Sequence, residues 1–331
     1  MPEHSYTCIN TGSAPWDWWE EGAFSSSGDL TRAKKPDKAQ RSALGSLFGT
    51  AAESLFTTLF PGACRFCDSP LIRVTRVPVC DSCLETIRGL PDDQRTCQTC
   101  GERLLRPADL RELSSETEQC AACRALHPPF VRAVTYGAYE GALRDLIHLV
   151  KYEGVRPAAP VLGRMLSEIL LALAPKFESG NTPIVIPVPL HDSKLQQRGF
   201  NQSELIARSA VKHAGLGLQL NTEALARLRP TDTQTGLTRH QRQQNIRGAF
   251  GVTQPAQVAG HDVLLIDDVY TTGTTVSECA RVLRQAGAKR VFVATVARVL
   301  LAEPAAATFS GARDDEQDGA VQKATARAAH A

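Results

Sequence analysis

A chain of 331 residues is long enough for about two domains with real cores. Its 37 Lys and Arg against 35 Asp and Glu leave a formal charge of +2, so no whole-protein field argues for nucleic-acid binding. No uninterrupted apolar run spans a bilayer; the nearest, Val161 to Leu173, is interrupted by Arg164 and Glu168 and reads as an amphipathic helix.

Residues 1–45 mix Ser, Gly, Pro and charges around Trp16, Trp18 and Trp19, and are predicted to form a disordered tail. The aromatic and acidic stretch from Trp16 to Glu21 does not resemble a basic-then-apolar signal peptide, so a cytoplasmic protein is expected. Apolar residues at Leu47, Ala51, Leu55 and Leu59 predict a short helix that Pro61-Gly62 ends.

Eight of the ten cysteines then form four CxxC pairs: Cys64/Cys67, Cys80/Cys83, Cys97/Cys100 and Cys120/Cys123. Thiolates two residues apart supply two tetrahedral ligands from one tight turn, so eight suit two Cys₄ zinc sites. The rival readings are redox chemistry and a disulfide scaffold; four repeats behind no signal peptide argue against both. Sequential ribbons would group Cys64/67/80/83 and Cys97/100/120/123, while an interleaved pairing stays open. Gly101 fits a knuckle turn that needs positive φ. Within the module of residues 46–127, helix plus double zinc ribbon, apolar residues are too few to hold residues 64–123 together, so structural Zn²⁺ is expected to replace the missing core.

From residue 128 to about 300, strands and helices alternate, which predicts an α/β domain built on a parallel sheet. Val131 to Tyr139 reads as a strand, Leu143, Leu146, Ile147 and Val150 mark a helix, and Pro157 to Leu173 a second one. Ile184 to Pro189 reads as a buried strand whose prolines place its end at a sheet margin. His191, Lys194 and Arg198-Gly199-Phe200-Asn201-Gln202 follow, then an amphipathic helix: strand, basic Gly turn, helix is an anion-binding layout. Pro230 to Arg247 is a long polar span carrying Arg239, Arg242 and Asn245, of the kind used as a lid. A tail from residue 301 is predicted to be disordered.

The stretch that organises this domain runs from Val263 to Thr275. A continuous apolar strand ends in Asp267-Asp268, then Thr271-Thr272-Gly273-Thr274-Thr275 leads into a helix with Val276, Cys279, Ala280 and Leu283 on one face. The Gly lets backbone amides turn inward, the helix N-terminus adds donors and partial positive charge, and Thr hydroxyls add donors without bulk. Two carboxylates suit a vicinal diol. Together they suit a ribose 5-phosphate.

The run Ile266 to Thr275 resembles the phosphoribosyl pyrophosphate (PRPP) motif of type I phosphoribosyltransferases. With Lys151-Tyr152, Arg198 to Gln202, and Thr235-Gly236-Leu237 beside Arg239, Arg242 and Asn245, residues 60–300 resemble the ComF family: a double zinc ribbon before a phosphoribosyltransferase-like domain. The resemblance implies that Asp267 and Asp268 hold ribose hydroxyls, Thr271, Thr272, Gly273, Thr274 and Thr275 the 5-phosphate, and Arg198 and Gly199 the pyrophosphate. It implies a flexible hood from Pro230 to Arg247 that brings Arg239 to the leaving group, and Mg²⁺ carried with PRPP. It also implies a link to competence, hence single-stranded DNA and competence machinery as partners. The acceptor is unidentified, and a non-catalytic PRPP sensor or single-stranded DNA-handling protein is the alternative.

Overall fold

The computed structural model describes residues 62–71, 75–90, 95–104, 118–177, 182–231 and 239–300. The expected tails and the helix over residues 47–59 lie outside them.

Two copies of one small cysteine motif come first. Each begins with a hairpin closed by a single antiparallel bridge, Ala63 to Pro70 and Thr96 to Arg103, with CxxC in its turn. Each ends with a short helix, α1 (Asp81–Glu85) or α2 (Ala121–Leu126), capped by the first cysteine of the next CxxC, Cys80 or Cys120. The residue after the knuckle has positive φ in both, 57° at Asp68 and 74° at Gly101, as the turn chemistry requires.

The rest is an α/β layer structure. Its five strands lie in the order β1-β7-β6-β2-β3. They are β1 (Arg132–Ala138), β7 (Arg290–Arg298), β6 (Asp262–Tyr270), β2 (Ile184–Pro187) and β3 (Gln219–Leu220), all parallel. Helices α3 (Gly141–Tyr152), α4 (Ala159–Leu173) and α6 (Gln202–Ala214) share one apolar core with Leu264, Ile266 and Phe292. On the opposite face Val263, Leu265 and Val293 pack with α9 (Thr274–Gln285) and with the two-stranded ribbon of β4 (Leu225–Arg227) and β5 (Phe250–Val252). Strands covered on both sides explain why β6 and β7 read as continuous apolar runs.

Four local differences from the sequence expectation have physical causes. The helix expected from Pro157 opens as a 3₁₀ turn over Arg156–Ala158, with Pro at its start, before α4 begins. Strand β2 ends at Pro187 and lies inside the sheet, but β3 pairs only with Ile184 and Val185, so the proline meets no missing partner on that side. Strand β6 continues through both aspartates to Tyr270, because β7 pairs along its whole length. The polar span after Pro230 contains a helix, α7 (Arg239–Ile246), pinned by the buried Ile246 and by a 2.7 Å bond from the Gly248 N–H to Glu278 Oε1 on α9.

The helical stretch Arg156–Lys176 is long and apolar enough to cross a membrane by length and composition. Its apolar side is already committed: Leu162, Leu166 and Leu170 are fully buried in the core beside α6. The cysteine motifs cover the otherwise open edge at β1. The Ala133 N–H donates to Thr99 O at 2.7 Å and the Leu90 N–H to Tyr136 O at 2.6 Å. A capped edge resists strand addition by another chain.

Candidate functional site

The site lies where β2 and β6 end. Gly273 takes φ +73° and caps α9, and a side chain there would run into the Tyr270 ring, so the residue answers both a conformational and a spatial demand. Thr272 Oγ1 and Thr274 Oγ1 are 2.6 Å apart, bridging the turn; Thr271 is exposed and Thr275 partly so. The 12-residue α9 behind them points its N-terminus at this loop.

The two aspartates are not equivalent. Successive strand residues face opposite sides, which separates them. Asp268 turns toward α3, is 4% exposed, and its Oδ2 lies 2.9 Å from Lys151 Nζ. Burial pulls the Lys151 ammonium down, but the Asp268 charge and hydrogen bond outweigh it and hold it above its usual value. Asp267 keeps partial solvent access; its Oδ1 accepts from Ser203 Oγ at 3.0 Å and from the Asp268 N–H at 2.9 Å. Burial, then the neighbouring Asp268 charge, push Asp267 up to about 7. One acid is neutralised by a lysine while the other is poised to ionise near neutrality.

Across from the acids is the basic turn. Helix α5 (Asp192–Arg198) ends on Gly199, whose φ is +73° and whose carbonyl accepts from Arg156 Nη2 at 2.9 Å. Arg198 donates to Gln202 Oε1 at 2.9 Å and its guanidinium stands 5.5 Å from the Tyr152 ring centre. Asn201 caps α6 by accepting from the Ser203 N–H and anchors the turn by donating to Val188 O at 3.1 Å. Lys194 is lowered by burial and by the charges of Arg227, Arg198 and Lys151. Three cations are therefore close enough to Lys194 to oppose its charge at the strand ends.

Of the residues expected from sequence, Asp267, Asp268, Arg198, Gly199 and residues 271–275 are brought to the carboxyl ends of adjacent strands. Arg239 is the first residue of α7, next to the undescribed residues 232–238. Three residues outside the expected set belong here. Lys151 had a signal in the Lys151-Tyr152 pair; Ser203 had only its place near a helix start; Arg227, on β4, had none. Its neighbours, among them Asp267 and Phe250, come from distant segments.

The cysteines group sequentially, Cys64/67/80/83 and Cys97/100/120/123, with the sulfurs of each set within 4.8 Å of one another. Backbone amides point at the first sulfur of each set: Phe66 and Cys80 N–H at 3.4 and 3.3 Å from Cys64 Sγ, and Cys100 N–H at 3.5 Å from Cys97 Sγ. Such donors stabilise thiolates. Burial pushes Cys100 up to about 11 and Cys123 higher still, while amide donors outweigh burial at Cys97 and bring it to about 7. Four sulfurs at this separation fit a tetrahedral thiolate metal site. The remaining described cysteine, Cys279, is core packing on α9, fully buried.

A family model described as "Phosphoribosyl transferase domain" matches residues 205–309. The DNA utilization protein YhgH of Escherichia coli (strain K12) is 34% identical over 242 residues, 72% of this chain and 98% of that protein. Competence protein F of Haemophilus influenzae is 27% identical over 228 residues, 69% of this chain and 93% of that protein. Competence protein ComFC of Streptococcus pneumoniae is 28% identical over 213 residues, 64% of this chain and 86% of that protein. With its two four-cysteine clusters ahead of a phosphoribosyltransferase-type sheet, the chain belongs to the ComF family, the family of YhgH and competence protein F.

Proposed function

We propose that the chain binds PRPP across the ends of β2 and β6 and transfers its phosphoribosyl group to an acceptor. The observation that carries this is the gathering at the ends of β2 and β6 of a Gly-Thr loop at a helix N-terminus, a partly exposed Asp267, and Lys194 with Arg198, Arg227 and Lys151 near enough to act on its charge. Residues 271–275 take the 5-phosphate through backbone amides and hydroxyls. Asp267 accepts a ribose hydroxyl, with Ser203 holding its other oxygen. Lys151 neutralises Asp268, so the acid pair carries about one net charge instead of two and does not repel a polyanionic substrate. Arg198 and Lys194, with Arg239 from the lid, meet the pyrophosphate.

The reaction is displacement at the ribose anomeric carbon. The bond to the pyrophosphate oxygen breaks, the leaving group keeps the electron pair, and the acceptor forms the new bond and loses a proton. Negative charge near the ribose and positive charge at the departing pyrophosphate stabilise an oxocarbenium-like transition state; in this reading Asp267 supplies the first and Arg198, Lys194 and Arg239 the second. Mg²⁺ on PRPP oxygens would add leaving-group neutralisation. Zinc in each cysteine cluster would hold the ribbons against β1.

Calorimetric titration with PRPP, with and without Mg²⁺, tests the reading on wild type, Asp267→Asn and Arg198→Met. Magnesium-dependent binding weakened at least tenfold in both variants supports it; equal binding in all three overturns the site. The names of the relatives favour a second reading, in which the same cations hold DNA phosphates. It predicts single-stranded DNA affinity that falls steeply with salt and competes with PRPP. DNA binding untouched by PRPP would separate the two functions.

A further inference from the structure

Arg298, the last residue of β7, is 1% exposed, an unusual place for a guanidinium. Among the described residues the carboxylate it pairs with is that of Glu102, with Nη2 to Oε2 at 3.8 Å. Among the described residues neither its Nε nor its Nη1 has a hydrogen-bond partner. A buried cation so poorly matched needs another source of negative charge.

Two surfaces hold it. On one side is the knuckle turn of the second cysteine set: a Cβ placed on Gly101 would lie 3.2 Å from Arg298 Nη1, and Cys100 feels the Arg298 charge. On the other side the guanidinium carbon stands 4.4 Å from the centre of the Tyr270 ring. The far end of that ring lies against Gly273, where a Cβ would meet Tyr270 Oη at 2.2 Å. The backbone closes the same path, since β7 pairs Arg298 with Tyr270 and the Val299 N–H donates to Tyr270 O at 3.0 Å. A continuous line of contact runs from cysteine turn to guanidinium, to tyrosine ring, to the loop before α9.

Four thiolates around one divalent zinc leave a net double negative charge, which is the compensation Arg298 lacks. We infer that Arg298 is a positioning residue that couples the second cysteine cluster to the phosphate loop, its guanidinium held by the metal-loaded cluster and in turn holding Tyr270 against Gly273. Loss of the metal leaves the cation uncompensated, withdraws it from the ring and loosens residues 271–273. By reciprocity, a phosphate that orders the loop tightens metal binding at that cluster. The inference rests on residues 271–275 being the phosphate site, but its first readout does not.

Hydrogen exchange of the peptide over residues 270–275 is measured on the full zinc-loaded chain, on the same chain after chelation, and on Arg298→Met and Arg298→Lys. Release of zinc to a chromogenic chelator is followed alongside, with and without PRPP. We expect chelation and Arg298→Met each to speed loop exchange about tenfold while α4 amides stay protected. Arg298→Met should release one of two zinc ions faster, and Arg298→Lys should restore retention by restoring the charge. Loop exchange unchanged by chelation overturns the coupling, and that arm stands even if Arg298→Met fails to fold. If the loop responds to zinc but PRPP neither binds nor lowers the share of zinc given up to the chelator at equilibrium, the coupling holds and the PRPP reading fails.

Discussion

Replacing Lys151 with Met tests whether the acid pair depends on this one cation. The Lys151–Asp268 pair is 2.9 Å apart with side chains 16% and 6% exposed, so its removal strands a carboxylate in a largely dry place. Breaking a buried pair from one side costs about 3–5 kcal/mol, and the residual access of Lys151 puts this case near about 3 kcal/mol. In a domain of this size that lowers Tm by roughly 6–12 °C. The sign with pH follows from Lys151 being raised above its ordinary 10.5: its contribution is present through neutral pH and lost only on the alkaline side. In the variant the penalty shrinks as pH falls and the carboxyl pair gains a proton. Urea unfolding of the zinc-loaded chain at about pH 7.5 and about pH 5 measures both effects. The double variant Lys151→Met/Asp268→Asn leaves no stranded charge and should recover about 2 kcal/mol of the loss. A single-variant cost below about 1 kcal/mol, or a double variant as unstable as the sum of its parts, would refute the reasoning.

Four further outcomes follow from the same geometry. Because Asp267 is raised to about 7 from 3.8, the folded chain keeps a proton that the unfolded chain has lost, so stability falls as pH rises through that window. Asp267→Asn should remove the slope in unfolding experiments and be the more stable protein at about pH 8. Conversely, PRPP binding that uses the ionised carboxylate should strengthen from about pH 6 to about pH 8 in wild type and be flat in the variant, by calorimetry. Gly273→Ala puts a side chain at positive φ against Tyr270; it should cost about 1–2 kcal/mol and weaken PRPP binding more than tenfold, with binding at wild-type strength counting against the loop's role. Metal analysis should find two zinc ions per chain, one for each cysteine set, and Cys97→Ser should lose only one. Loss of both would show that the two sites are not independent.

Most of this molecule is legible in local patterns. The knuckles are short-range features in which CxxC and a positive-φ residue dictate one turn, so Gly101 could be read directly and Asp68 plays the same part in the other copy. The Thr-Gly loop over residues 271–275 was equally open to reading, because a buried strand, one Gly and a helix start fix where amides and hydroxyls point. The continuation of β6 through both aspartates, held by its pairing with β7, was not, and it sends Asp267 and Asp268 to opposite faces and different partners. Lys151, Ser203 and Arg227 lie on three separate elements, and no spacing rule brings them to one cleft. Sequential cysteine grouping, the cover on the β1 edge and the wedge of Arg298 between a cysteine turn and Tyr270 also depend on how segments pack. Chain-local chemistry determined the parts. Only burial and electrostatics between distant segments decided which charges neutralise one another and which one stays available for a ligand.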